Sequence, residues 1–126
     1  MAPPTSTVEH MKRVLLIEDE ASLRSSYQRF FAGRYELAFA GSGLEGLEQL
    51  RSFGPDVLVL DLRLPDTDGV ALLQDIRKTH PTLPVVVTTA YMSMERLMSV
   101  LNLEHSAYLI KPFDLNELAA RIDAAG

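Results

Sequence analysis

The stretch that most narrows the fold of this chain is Val57-Leu58-Val59-Leu60-Asp61-Leu62-Arg63-Leu64-Pro65. Four consecutive apolar residues, two of them β-branched, read as a strand buried on both faces, and such strands belong to parallel sheets covered by helices. The run stops abruptly at a carboxylate, which places Asp61 at the mouth of that sheet. Taken alone, Asp61 is as well explained as a turn former, because Pro65, Asp66, Asp68 and Gly69 supply turn chemistry just beyond it. The chemistry at the other strand ends decides otherwise.

Val14-Leu15-Leu16-Ile17 is a second apolar run and ends in Glu18-Asp19-Glu20. Leu23, Tyr27, Phe30 and Phe31 then fall at i, i+4, i+7 and i+8, one face of a helix that Gly33 ends. Tyr35 to Phe39 alternates large apolar residues with others, the pattern of a half-exposed strand at a sheet edge. A helix with Leu44, Leu47 and Leu50 inward runs to about Ser52, and Phe53-Gly54-Pro55 ends it. Asp68-Gly69 starts another, with Leu72, Leu73 and Ile76 on one face, which breaks at His80-Pro81-Thr82-Leu83-Pro84. Val85 to Thr89 is a fourth strand; Met94, Leu97, Met98 and Leu101 form a helical stripe; Tyr108-Leu109-Ile110 is a fifth strand ending in Lys111-Pro112. Asp114 and Glu117 cap a last helix with Leu115, Leu118, Ala119 and Ile122 inward. Five strands alternating with five helices predict an α/β fold, a parallel sheet with right-handed crossovers and helices on both faces.

Gly41-Ser42-Gly43-Leu44-Glu45-Gly46 matches the G-x-G-x-x-G dinucleotide fingerprint, with Asp61 further along the chain. The preceding strand is amphipathic, whereas that fingerprint follows a central, buried one. Ser42 with Glu45 three residues later also forms a capping box that needs no ligand.

With 126 residues and 47% hydrophobic content the chain fits one domain with one core. A net charge of −5 argues against direct nucleic-acid binding, which needs clustered Lys and Arg. The chain has no cysteine, so a thiolate metal site is excluded and a cytoplasmic location is expected. No apolar run approaches the roughly 20 residues of a membrane span. Met1 to His10 has two prolines and no periodicity, so residues 1–11 are expected to form a disordered tail ahead of a domain over 12–126.

Glu18, Asp19, Asp61, Thr89 and Lys111 all stand at carboxyl ends of predicted strands, the edge where open parallel sheets bind ligands. Clustered carboxylates repel and would protonate unless a cation compensates. Mg²⁺ (or Mn²⁺) prefers a few carboxylate oxygens and leaves room for phosphate, so Asp19 and Asp61 are natural ligands with Glu18 in the outer shell. Asp61 is then placed to attack phosphorus, while Thr89 and Lys111 bind phosphoryl oxygens. Singly, each has a plainer role: Lys111 a surface amine, Thr89 a strand residue, the acids a solvated helix start. There is no G-x-x-x-x-G-K-[S/T] loop to hold ATP, and His10, His80 and His105 show no ligand spacing, so the phosphoryl donor comes from elsewhere.

From Lys12 to Ala124 the sequence resembles a bacterial response regulator receiver domain of a two-component system. The resemblance is carried by Leu16-Ile17-Glu18-Asp19-Glu20, by Asp61 through Gly69, by Thr89-Ala90 and by Tyr108-Leu109-Ile110-Lys111-Pro112-Phe113. It implies a flavodoxin-like (βα)5 fold with strand order 2-1-3-4-5 and a cis Lys111-Pro112 bond. It also implies phosphorylation of Asp61 by a histidine kinase or histidine phosphotransfer protein, and Mg²⁺ held by Asp19, Asp61 and the Arg63 backbone carbonyl. Thr89 and Tyr108 would act as switch residues that alter the surface of the fourth helix, fifth strand and fifth helix, where family members homodimerise or meet partners. Such a domain is not a conventional enzyme: it catalyses its own phosphorylation and slow dephosphorylation. Lys111 to Leu118 looks like receivers that sit ahead of ATPase transcription activators.

Glu18 departs from the family's usual Asp, and Glu104-His105 stand where Gly-Ala is common, so strain is expected before the fifth strand. The alternative function is a phosphate-independent receiver-like interaction module, and a nucleotide-binding enzyme using Gly41 to Gly46 is a third reading. Retention of Asp19, Asp61, Thr89 and Lys111 favours the phosphoryl switch over the module, which has no need of them. Arg63 and Tyr91, two residues past Asp61 and Thr89, flank the phosphoryl position and are expected to shield it from water. Replacing both with alanine should therefore speed loss of phosphate from Asp61, timed by intact mass after donor removal; an unchanged rate would remove the shielding role.

Overall fold

The computed structural model describes residues 11–90 and 105–125. Five strands, β1 (Arg13–Ile17), β2 (Glu36–Ala40), β3 (Val57–Asp61), β4 (Val85–Thr89) and β5 (Ser106–Ile110), form one sheet in the order β2-β1-β3-β4-β5, all pairs parallel. Four helices are described: α1 (Ala21–Phe31), α2 (Gly43–Phe53), α3 (Gly69–Thr79) and α4 (Leu115–Ala124). The helix expected at Met94 to Leu101 lies outside the described residues, as do residues 1–10 of the tail expected over 1–11, Tyr91 and Glu104.

The strand order follows from hydrophobicity. β1, β3 and β4 are buried almost throughout and take the centre, whereas β2 and β5 are mostly half-buried and take the edges. Alternation along each strand separates two cores. Leu15, Ile17, Leu58, Leu60 and Val87 face one way, onto Leu50 of α2 and Leu72, Leu73 and Ile76 of α3. Val14, Leu16, Val57, Val59 and Val86 face the other way, onto Tyr27 and Phe31 of α1 and Leu118, Ala119 and Ile122 of α4.

Helix ends follow their expected caps. Asp68 accepts from Val70 N, and Asp114 with Glu117 completes a capping box on α4. Lys12 closes the far end of α4 by donating to the carbonyls of Ile122 at 2.9 Å and Ala125 at 2.6 Å, a cation where the helix leaves acceptors unsatisfied.

The inward face predicted for α2 is corrected. Leu44 is 64% exposed and Leu47 40% exposed, while Gly43, Gly46 and Leu50 face inward. The helix lies so close to β1 that a Cβ on Gly46 would collide with the Ile17 side chain, and one on Gly43 would come within 2.5 Å of Thr67 Cγ2. Gly46 lets α2 seat closely against Ile17, and with the two glycines on the inward face Leu44 and Leu47 turn outward. The capping box is also modified: Ser42 Oγ accepts from Glu45 N, but Glu45 Oε1 accepts from Gly41 N.

The strain expected before β5 is found at His105, whose φ is +66°, in the left-handed region. Arg77 holds this turn, its Nη2 donating to the His105 carbonyl at 3.2 Å and to Ser106 Oγ at 2.9 Å. Because that anchor uses the backbone, His105→Gly should keep it and relieve the strain. A gain of about 0.5 to 1 kcal/mol is expected, seen as a higher urea midpoint at unchanged slope.

Candidate functional site

The strand order reverses between β1 and β3, and the expected ligand edge lies at their carboxyl ends. Asp61 is the last residue of β3, Glu18 follows β1 and Lys111 follows β5. Two residues upstream of each, Leu16, Val59 and Leu109 belong to the core under α1 and α4, so the three polar side chains continue one face of the sheet.

Lys111 Nζ donates to Glu18 Oε1 at 2.9 Å and to Asp61 Oδ2 at 3.1 Å. Glu18 and Asp61 are only 1% and 3% exposed, so this ammonium joins two carboxylates that have left water. Burial pushes Glu18 up to about 7, against the lowering influence of the Lys111 bond and the Glu20 N–H, while the charge of Asp61 pushes it further up. Lys111 is itself raised: burial favours its neutral form, but its bonds to Glu18 and Asp61 together outweigh that.

The remaining carboxylate oxygens meet backbone donors. Glu18 Oε2 accepts from Glu20 N at 3.1 Å, and Asp61 Oδ1 accepts from Arg63 N at 3.0 Å. Carboxylate oxygens of Glu18, Asp19 and Asp61 lie within 4.8 Å of one another, with Asp19 exposed to incoming ions. Two buried acids and one exposed acid converging on one point form a donor set suited to a hard divalent cation.

Thr89 closes β4 in a buried position, and its carbonyl accepts from Lys111 N at 2.8 Å. The Lys111-Pro112 bond is cis, as the resemblance implied. Tyr108 is half-buried against the α2–α3 core, and its hydroxyl is covered, with no hydrogen-bond partner among the described residues. Arg63 is exposed, and it pairs in an isolated bridge with Asp68.

Three features escaped the sequence reading. Arg24 Nη1 donates to the Glu18 carbonyl at 2.6 Å. Asp66 accepts from Gly43 N at 2.7 Å and Leu44 N at 2.9 Å, bonds that hold its carboxyl below the usual range. It thereby caps α2 from the loop after β3. Tyr27 and Thr88 bury hydroxyls with no hydrogen-bond partner among the described residues, on residues that face the same side of the sheet as Val59 and Val86. An arginine one turn into the helix after the acids was the available signal for the first; the other two depend on contacts between distant segments.

The sequence profile of the response regulator receiver domain matches residues 14–123. The chain belongs to the response regulator receiver family. It is 38% identical over 113 residues to the DNA-binding transcriptional regulator NtrC of Escherichia coli (strain K12), covering 89% of this chain and 24% of that protein. It is 37% identical over 113 residues to the response regulator MprA of Mycobacterium ulcerans, covering 89% of this chain and 49% of MprA. The receiver domain of Francisella response regulator 1452 superposes with a TM-score of 0.81 at 29% identity, covering 90% of this chain and 94% of that one. The chain thus spans about a quarter of the first of these relatives and about half of the second. No described helix is long and apolar enough to cross a membrane.

In this receiver, removing the Lys111 ammonium leaves Glu18 and Asp61 facing each other uncompensated. Lys111→Ala should cost about 3 kcal/mol in the absence of divalent cations, measured by urea unfolding. Adding Glu18→Gln to the variant should recover most of the loss.

Proposed function

We propose that this receiver is a phosphoryl-accepting switch in which Asp61 takes the phosphoryl group of a partner phosphohistidine, carried by a histidine kinase or histidine phosphotransfer protein. The observation that carries the reading is the Lys111 ammonium bound to both Asp61 and Glu18, a cation set beside the nucleophile. Family membership supports the same chemistry.

In this reading an Asp61 carboxylate oxygen forms the new bond to phosphorus while the phosphorus–nitrogen bond of the donor breaks, its electron pair staying with the imidazole. Arg63 N–H holds one Asp61 oxygen and so sets which one is presented to phosphorus. Lys111 turns from the carboxylates to an incoming phosphoryl oxygen, and Thr89 donates its hydroxyl to another. Asp19, Asp61 and the Arg63 carbonyl would hold Mg²⁺ or Mn²⁺, with Glu18 in the outer shell. A bound divalent ion supplies charge neutralisation between the carboxylates and phosphoryl oxygens.

The readout assigned to phosphorylation is movement of Thr89 and Tyr108, which changes the surface of β5, α4 and the segment 94–101. That surface is where a homodimer or another partner would be sensed. We place the domain in the cytoplasm beside its donor, and we assign it no contact of its own with nucleic acid or membrane.

Incubation with acetyl phosphate and MgCl₂ should give a single phosphoryl adduct by intact mass, absent in Asp61→Asn. Absence of an adduct, together with no response to beryllofluoride, would transfer the assignment to a phosphate-independent interaction module.

A further inference from the structure

Every polar group of Glu18 is occupied, and the partners come from four places in the chain. Its N–H donates to the Ala40 carbonyl at the end of β2, its Oε1 accepts from Lys111 and its Oε2 from Glu20 N. Its carbonyl accepts from Arg24 Nη1 at 2.6 Å, a short charge-assisted bond. Arg24 sits one turn into α1, with its own N–H on the Glu20 carbonyl, so its guanidinium reaches back over the β1–α1 loop.

The carbonyl it grips belongs to the Glu18–Asp19 peptide. Because that unit is planar, fixing the oxygen fixes the Asp19 nitrogen and Cα with it. Asp19 is the exposed acid of the converging trio, and none of the described hydrogen bonds or ion pairs restrains its carboxylate, so its position depends on its backbone.

A second observation comes from another segment. Packing against Ile17 and Thr67 accounts for Gly46 and Gly43, which leaves Gly41 of the glycine motif unexplained. A Cβ on Gly41 would stand 3.1 Å from Arg24 Nη1 and 3.4 Å from Glu45 Oε1. A side chain at 41 would press on the guanidinium and push it aside by a few tenths of an ångström.

We propose that Arg24 is a positioning residue for divalent-cation binding: it locks the Glu18–Asp19 peptide so that Asp19 is presented to the ion, and Gly41 keeps the room it needs. The proposal rests on the reading of Glu18, Asp19 and Asp61 as a Mg²⁺ site. Groups that orient metal ligands without touching the metal change affinity by about 10- to 100-fold when removed.

The test is calorimetric titration of MgCl₂ into the full chain, without phosphodonor, for wild type, Arg24→Ala, Arg24→Lys, Gly41→Ala and the double variant Arg24→Ala/Gly41→Ala. Arg24→Ala should weaken Mg²⁺ binding about 10-fold, Arg24→Lys should recover part of it, and Gly41→Ala should weaken binding by a smaller factor. The double variant should match Arg24→Ala alone, because a Cβ at 41 has nothing to displace once the guanidinium is gone. Thermal unfolding without Mg²⁺ reports each variant's fold separately. A folded Arg24→Ala protein with wild-type affinity overturns the proposal and leaves the metal site standing, as do additive effects in the double variant. If Arg24→Ala does not fold, Gly41→Ala decides: unchanged affinity there overturns the proposal, and weakened affinity supports it. A wild-type chain that takes up no Mg²⁺ overturns the metal-site reading and this inference together.

Discussion

The interaction on which the site depends is the ammonium of Lys111 set between Glu18 and Asp61. Two carboxylates withdrawn from water and facing each other are unstable as a charged pair, and burial, together with the charge of Asp61, pushes Glu18 up toward neutrality. Lys111 changes that balance from the sheet's edge. Its backbone N–H is tied to Thr89 at the end of β4, while its side chain crosses to the ends of β3 and β1. One side chain therefore links three strand ends, and the geometry of the acids is set by the register of the sheet.

A second constraint is the closeness of α2 to β1. The fingerprint-like glycines of this segment answer to packing: Gly46 admits Ile17, Gly43 admits Thr67 and Gly41 admits the Arg24 guanidinium. Asp66, on the loop after Asp61, then accepts from the first N–H groups of α2. The helix start, the loop beyond Asp61 and the acidic loop after β1 are thus packed as one unit. The same closeness turns Leu44 and Leu47 outward, where simple helical periodicity would bury them.

Much of the fold was legible because buried parallel strands write themselves as short apolar runs. Val14 to Ile17, Val57 to Leu60 and Val85 to Val87 identified the three central strands, and the mixed pattern of Tyr35 to Phe39 identified an edge. The turn before β5 was legible as a departure, and His105 does carry left-handed backbone there, tied down by Arg77. The meeting of Glu18, Asp61 and Lys111 was legible for the same reason, since residues that end parallel strands share one edge.

What failed was whatever depended on how closely two elements approach. Leucines spaced along α2 satisfy an inward stripe as long as the helix stands at an ordinary distance from the sheet; here Gly46 lets the helix seat directly on Ile17 of β1, Gly43 and Gly46 face inward, and Leu44 and Leu47 turn away. The bonds of Asp66 to α2 were invisible, and that of Arg24 to the Glu18 carbonyl was marked only by an arginine one turn into the helix, because backbone acceptors and donors carry no sequence signature. The sequence by itself determined the order of elements, the parallel sheet and the charges at its carboxyl edge, since these follow from hydrophobic periodicity and from where each strand stops. Only the tertiary structure decided which carboxylate oxygen meets which donor, which face of α2 is buried and which cation holds the acidic loop, because those depend on how closely segments far apart in the chain approach one another.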